Sequence, residues 1–437
     1  MKLMTRIRSR FMRAMSSEAA ELRLKQRGRS KRLSDQAPVI HYFHSITDPF
    51  SLLTIQCLQT LIDRYDINLR WHFVSRAGGD YVGDTARLDA WALRDAEDVA
   101  SHYGLAFPQA TREGTLEANL REMVEVTSLD GFVEAALEVG GQVATHGLPD
   151  DQPTDPTDQE RVMQLCSDFE HSSLVREGNR LRNKLGHYAS ALFYFEGQWY
   201  WGVDRLRVLE SRLQEEHLAR TAETVAYPEP SAGDLPDLSQ SDVYLEYFPS
   251  LRSPYTAVGH DRVLRLIEAT KVKTEVRVVM PMMMRGVPAP RQKGQLILSD
   301  AAREGRFFGS PMGRIVDPFG EPVRKACAYL PQLRAEGLLM PFVTQYLSAA
   351  WVEGLDITSQ KGLSAVLHRA GASEDIAPSP ESDWRREVEG NLAVMQNHDL
   401  WGVPSFRISG GGHAPFACWG QDRIWRVARE LKTRAKS

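Results

Sequence analysis

Short apolar runs bounded by turn residues recur along the chain, separated by longer stretches in which apolar residues return every three or four positions. Val243 to Phe248 is apolar and aromatic enough for a buried strand, and Thr274 to Val279 alternates before becoming fully apolar. Between them Val263, Leu266 and Ile267 recur at helical spacing, so strand, helix and strand form a βαβ opening. Leu58, Leu61 and Ile62 repeat that spacing nearer the N-terminus. Gly337 to Gly354 and Ser382 to Asn397 read as helices, which makes the middle of this second unit α-rich. Ser405 to Trp419, turning at Gly410-Gly411-Gly412, reads as a hairpin, and Asp422 to Lys432 as a closing helix.

The pattern occurs twice, and a repeat changes what each motif means. Val39 to Ser51 reads VIHYFHSITDPFS and Tyr244 to Thr256 reads YLEYFPSLRSPYT. At an offset of 205, Tyr42, Phe43, Ser45 and Pro49 meet Tyr247, Phe248, Ser250 and Pro254, and Leu61 and Ile62 meet Leu266 and Ile267. Near the ends, Trp201-Gly202-Val203-Asp204-Arg205-Leu206 meets Trp419-Gly420-Gln421-Asp422-Arg423-Ile424 at an offset of 218. Interior loops can absorb the difference. The expected organisation is a basic flexible extension over 1–34, a first domain over 39–216, a linker rich in proline and small polar residues over 217–241, and a second domain over 242–434.

Composition narrows the class of protein. A chain of 437 residues with 42% apolar and 25% charged side chains excludes a disordered tail, a stapled mini-protein and a fibrous repeat. The net charge of -4 supplies no global field for nucleic acid, and a nucleic-acid partner is not expected. The four cysteines, Cys57, Cys166, Cys327 and Cys418, stand too far apart for a CxxC redox pair or zinc half-site, which fits separate thiols in a reducing cytoplasm. The longest apolar stretch, Leu338 to Val352, contains Pro341, Thr344, Gln345 and Ser348 and is too short and too polar to span a bilayer. Residues 1–34 hold eleven Lys/Arg against Glu18 and Glu21 alone and lack the apolar core of a secretory signal; a solvated extension is expected, with an Arg-rich organelle presequence or a basic arm on an anionic surface as alternatives.

Three elements of the second unit carry candidate chemistry. Ser253-Pro254-Tyr255 lies where the first strand ends and a helix begins, where free N–H groups and a partial positive charge stabilise a thiolate or oxyanion. Pro254 suits the first helical turn, and the Ser253 hydroxyl can cap the helix or point into a cleft. Gly402-Val403-Pro404-Ser405 enters a strand after a helical region; were its proline cis, Val403 would offer its backbone to an extended peptide, whereas a trans proline opening an edge strand fits as well. Gly420-Gln421-Asp422-Arg423 starts the last helix, where Asp422 can cap or accept from an ammonium group and Gln421 can complete a carboxylate clamp.

In combination these elements resemble the DsbA-like group of thioredoxin-fold proteins that contains 2-hydroxychromene-2-carboxylate isomerases and kappa-class glutathione transferases. The likeness covers residues 243 to 434, including Asp300-Ala301-Ala302-Arg303-Glu304 and the Asp317-Pro318-Phe319-Gly320 turn. It implies an α/β chain of two thioredoxin-like, DsbA-type domains, each with a helical insertion. It also implies glutathione as cofactor, with Ser253 at its sulfur, Val403 and Pro404 beside its cysteinyl backbone, and Gln421 and Asp422 at its γ-glutamyl end. The activity implied is isomerisation or conjugation of a small hydrophobic electrophile by a thiolate. The loop Met280-Pro281-Met282-Met283-Met284-Arg285-Gly286 departs from the group's usual sequence; with Tyr255, Met282 and Arg285 are candidate substrate contacts.

The first copy reads as chemically reduced. Asp48 stands where Ser253 does and would oppose a thiolate; aligning Gly186 with Gly402 puts His187 and Tyr188 in place of Val403 and Pro404. Asp48 and His187 could form an acid–base pair, but two polar groups in a vacated cleft more often satisfy each other. His41 and His44 are not expected to share a metal, because residues three apart on a strand face opposite sides. The reading is therefore a cytoplasmic enzyme with no metal site and a possible homodimer. A non-catalytic binding or assembly protein is the alternative, and a disulfide oxidoreductase is disfavoured without CxxC.

Overall fold

A computed structural model describes residues 3–32, 37–107, 115–146, 156–220 and 224–435. The chain divides into two compact units, one of Arg23–Pro230 and one of Met1–Leu22 with Ser231–Ser437. Helix α1 (Leu3–Ser16) opens the chain and α2 (Glu18–Arg29) follows.

In the first unit β1 (Val39–His44) leads through α3 (Pro49–Ile55) and α4 (Leu58–Arg64) to β2 (Asn68–Phe73). Helices α5 (Thr85–Ala100), α6 (Leu116–Glu125), α7 (Leu129–His146), α8 (Pro156–Glu170) and α9 (Ser173–Leu185) come next, then β3 (Leu192–Phe195), β4 (Gln198–Trp201) and α10 (Leu206–Glu215). In the second unit β5 (Tyr244–Phe248), α11 (Pro254–Thr270) and β6 (Lys273–Val276) are followed by α12 (Arg291–Phe307), α13 (Glu321–Cys327) and α14 (Leu330–Ala335). Helices α15 (Leu339–Trp351), α16 (Gln360–Arg369) and α17 (Glu381–Gln396) complete the helical stretch before β7 (Ser405–Gly410), β8 (His413–Trp419) and α18 (Ile424–Arg434). The sheet orders are β2-β1-β3-β4 and β6-β5-β7-β8. In each, the first two strands are parallel and the hairpin runs antiparallel to the central strand.

The period of two along β5 explains how the second sheet is packed. Leu245 and Tyr247 join Phe406 and Ile408 of β7 in a core closed by Val263 and Leu266 of α11 and by Val427 and Leu431 of α18. Glu246, which alternates with them, is buried and takes a hydrogen bond of 2.6 Å from Arg277 and an ion pair from Arg407. Burying that carboxylate is tolerable because two guanidiniums meet it. The apolar helix α15 closes a separate core with α16 and α17, built on Phe342, Tyr346, Val366 and Val388. The longest apolar run of the sequence is thus a core helix, and among the described residues no helix is long and apolar enough to cross a membrane.

The ends of both units are more structured than the composition suggests. The segment expected to be a flexible extension forms α1 and α2, because Met12 and Met15 find apolar partners and the Ser16 carbonyl accepts from Arg306 at 2.9 Å. In the first unit Arg32 pairs with Glu196 and Glu216. The expected linker is also bound: Ala226 and Tyr227 donate backbone N–H bonds to the fully buried Glu210, and Leu238 enters the second unit's core. Residues 1–2 and 33–34 of that extension and 221–223 of that linker lie outside the described residues.

One buried tie locks α11 between sheet and helical region. The Tyr247 hydroxyl lies 3.1 Å from His260 Nδ1, and His260 Nε2 lies 2.8 Å from the Thr344 hydroxyl of α15. Burial lowers the His260 pKa from 6.5 to about 4, so the folded imidazole stays neutral where an unfolded one takes a proton. The unfolded chain therefore binds more protons between those two values, and stability falls as pH drops through the window. The full loss is on the order of 3 kcal/mol. Urea unfolding of the second unit's transition at pH 7 and pH 5 should show a smaller difference in His260→Gln than in the parent; equal differences would remove His260 from the account.

Candidate functional site

Strand β5 ends in a turn that delivers Ser253 to the start of α11. Ser253 caps the helix: its hydroxyl accepts from the Thr256 N–H at 3.1 Å, with Pro254 in the first turn where a missing donor costs nothing. The Thr256 hydroxyl in turn accepts from the Ser250 N–H at 3.4 Å and closes the turn from within. The first unit repeats this device, with the Ser45 N–H donating to the Ser51 hydroxyl at 3.2 Å. Ser250 is fully buried, and its own hydroxyl has no hydrogen-bond partner.

The chain returns to this helix start just before β7. The Ser253 hydroxyl donates to the Val403 carbonyl at 3.4 Å, and the Val403–Pro404 peptide is cis. Val403 packs with Phe248, Val279, Met395 and Leu400, so the backbone beside Ser253 is held by an apolar base. Gly402 is required here: a Cβ on it would fall 1.9 Å from the Trp419 ring. A side chain would displace that indole.

Gln421 and Asp422 lie on the turn before α18. A Cβ on Gly259 would come within 2.9 Å of Gln421 Cβ, so this turn sits against α11 six residues beyond Ser253, about 9 Å along the helix axis. Gln421 is not placed as the expected ligand clamp. Its side chain is fully buried; its carbonyl oxygen accepts from Arg262 and its amide donates to Glu304, at 3.1 Å, and to Asp422. Gln421 thus holds Asp422, which remains half-buried. Arg262 is itself stacked on Phe308 at 3.6 Å. Tyr255, expected to meet substrate, donates its hydroxyl to Asp300 at 2.9 Å.

The methionine segment is pinned beside both halves of the Ser253–Val403 pair. Arg252, the residue before Ser253, binds the Asp317 carboxylate at 2.7 and 3.2 Å and donates to Met283 Sδ at 3.1 Å. Arg285 donates to the carbonyl of Trp401, two residues before Val403, at 3.2 Å, and burial lowers its pKa to about 10. Met282 is half-buried between these anchors and Met283 is exposed. Sequence reasoning singled out Met282 and Arg285 but not Arg252 or Trp401, although each adjoins a quoted motif. Glu304 and Arg262 were missed as well, and only Glu304, in the quoted helix segment, carried any signal.

The first unit's pairing shows which residues stand in the same places. Phe43 pairs with Leu192 and Phe248 with Ser405; Leu192 pairs with Trp201 and Ser405 with Trp419. Counting from either strand, Ser190-Ala191 stands where Val403-Pro404 does. The alignment of His187 and Tyr188 to those positions is therefore three residues off. Asp48, in Ser253's place, accepts from the Ser190 hydroxyl at 2.7 Å and from the Phe50 N–H at 3.1 Å. His187 Nδ1 instead accepts from the backbone N–H groups of Tyr188 and Ala189. Ala189 replaces Gly402, and Trp201, the counterpart of Trp419, is 50% exposed.

The histidines of β1 separate as their spacing requires. His44 is fully buried, and its pKa is lowered to about 3 by burial. His41 lies 2.9 Å from His72 on β2, a partner that only strand register reveals. Among the described residues no group of three or more His, Cys, Asp or Glu is placed to hold a metal ion.

No family model and no curated protein matches the chain. Solved structures of DsbA-like, thioredoxin-fold proteins are similar to about half of it. The cytosolic disulfide reductase DsbM from Pseudomonas aeruginosa is 16% identical over 44% of this chain and 99% of its own, with a TM-score of 0.33. A 2-hydroxychromene-2-carboxylate isomerase is 13% identical over 44% and 96%, with a TM-score of 0.35. Proteus mirabilis ScsC is 12% identical over 66% and 100%, with a TM-score of 0.29.

The two helix starts predict an exchangeable pair. Ser253→Asp places a carboxylate against the Val403 carbonyl with no hydroxyl to answer it, whereas Asp48 has Ser190. Val403→Ser should therefore cost less stability in a Ser253→Asp background than alone, by about 1 kcal/mol. A double-mutant cycle by urea denaturation measures the coupling; additive losses would refute the equivalence.

Proposed function

We propose that the chain is a tandem pair of thioredoxin-like, DsbA-type domains whose second copy binds glutathione and acts as an isomerase or transferase on a small hydrophobic electrophile. The observation that carries this reading is the meeting of Ser253, at a helix start, with the Val403 backbone, 3.4 Å away and resting on an apolar base.

The donor set suits a peptide thiol. A hydroxyl and the positive end of α11 favour a sulfur anion over a neutral thiol, lowering a pKa of about 8.5. The buried Ser250 hydroxyl beside them is a polar atom without a protein partner. Asp422, about 9 Å along the helix, is an acceptor suited to an ammonium group, and Gln421 positions it. Bound glutathione would supply a nucleophilic sulfur that can add to carbon and leave again. Ser253 would turn its one proton from the Val403 carbonyl to the anion, Val403 would align the peptide, and Met282 and Met283 would offer an adaptable apolar wall for the second substrate.

Dithiol exchange is opposed by the cysteines themselves. All four are buried, and burial pushes Cys57, Cys166 and Cys327 up to about 12, away from the thiolate form that exchange requires. The first copy is read as a scaffold, because Asp48 is already satisfied by Ser190 and the turn around it.

Reduced glutathione at about 100 times its dissociation constant should stabilise the native state by about 2.7 kcal/mol and raise the melting temperature. Asp422→Ala should abolish the shift. Asp204→Ala should keep it even though the starting stability falls, since Asp204 holds Tyr103 in the first unit at 2.8 Å. Ultraviolet titration of the bound thiol should give a pKa below 8.5 that returns toward 8.5 in Ser253→Ala. Absence of any glutathione shift in the parent protein would refute the reading.

A further inference from the structure

The first helix has two faces, and only one is used by the fold. Met12 and Met15 pack against the apolar core of the second unit, Ser16 is buried, and Arg8 reaches Asp317 at 3.4 Å. On the opposite side Ile7, Phe11 and Ala14 stand at i, i+4 and i+7, one stripe along the helix. Ile7 is 52% exposed and Phe11 is 54% exposed, an unusual arrangement for two large apolar side chains one turn apart. Beside that stripe run Arg6, Arg10 and Arg13, at the same spacing and exposed; α1 holds no acidic residue.

We propose that α1 is an interfacial anchor that lays the protein on an anionic membrane surface. A helix lying in the headgroup plane needs an apolar stripe to enter the acyl boundary and flanking cations to meet lipid phosphates. Ile7, Phe11 and Ala14 supply the first, and Arg6, Arg10 and Arg13 the second. The helix is too short and too basic to span, and its inner face remains committed to the protein, so the contact is reversible and parallel to the surface. A second copy of this helix is an unsuitable occupant, because Arg6, Arg10 and Arg13 would face the same three arginines. A nucleic acid would pair with the arginines but gain little from Ile7 and Phe11.

Sedimentation of the full chain with vesicles of phosphatidylcholine, alone or mixed with phosphatidylglycerol, tests this. Binding is expected to the anionic vesicles only, and it should weaken as salt screens the arginines. Ile7→Ser/Phe11→Ser and Arg6→Gln/Arg10→Gln/Arg13→Gln should each weaken binding at least about tenfold with unchanged melting temperature, since all five side chains point away from the core. No binding of the parent protein to anionic vesicles overturns the proposal. So does equal binding to neutral ones, and so does binding that survives Ile7→Ser/Phe11→Ser. Tighter binding to duplex DNA than to anionic vesicles in parallel, lost with the three arginines, assigns the face to a polyanion and also overturns it.

Discussion

The second unit depends on one junction: the start of α11 must lie against the backbone that enters β7. A helix start carries unmatched N–H groups, and a protein can satisfy them from within or leave them for a ligand. Ser253 satisfies one of them from within. It answers the Thr256 N–H and then donates its own proton to Val403, joining segments 150 residues apart through one oxygen. Everything around it keeps that approach in place. Thr256 closes the turn, Gly402 gives Trp419 room, and Arg252 and Arg285 tie the methionine segment to the two sides.

The first unit answers the same geometric problem with opposite chemistry. Asp48 caps its helix as Ser253 does, but a carboxylate has no proton to give, so the facing residue must be a donor. Ser190 is that donor, at 2.7 Å. The result is an internally satisfied pair, buried at both ends, with nothing at the helix start suited to attract a second anion. A difference of one functional group at each of two positions thus separates a hydroxyl that donates to a backbone carbonyl from a carboxylate that accepts from a facing hydroxyl.

The parts of this arrangement that were legible in sequence are those with local punctuation. Ser253-Pro254, Val403-Pro404, the triple glycine and Gly420 each mark a boundary by the backbone conformation they require, and the strands and helices between them follow from apolar period. What could not be read is the information held across strands. Without a proline to mark the place, His187-Tyr188 was aligned where the register puts Ser190-Ala191. His72 became visible as a partner of His41 only through the parallel pairing of β1 with β2. Gln421 looked like a binding residue because its motif starts the last helix, where free N–H groups can join it in a carboxylate clamp; its burial depends on Arg262 and Glu304, which arrive from two other helices.

The N-terminal segment shows the same limit from the other side. Its charge was plain, and charge alone argued for a solvated extension. A helix in which one stripe is methionine and another is isoleucine and phenylalanine has two candidate partners, and composition cannot say which stripe the fold uses. Packing decides it: the methionine face meets the core near the Asp317 that binds both Arg8 and Arg252, and Arg6, Arg10 and Arg13 are left exposed. Arg6, Arg10 and Arg13, which seemed to mark a mobile tail, are instead exposed on a helix packed against the core through Met12 and Met15. A surface fixed in orientation can make several weak contacts at once, which is what separates an anchoring face from an excess of positive charge.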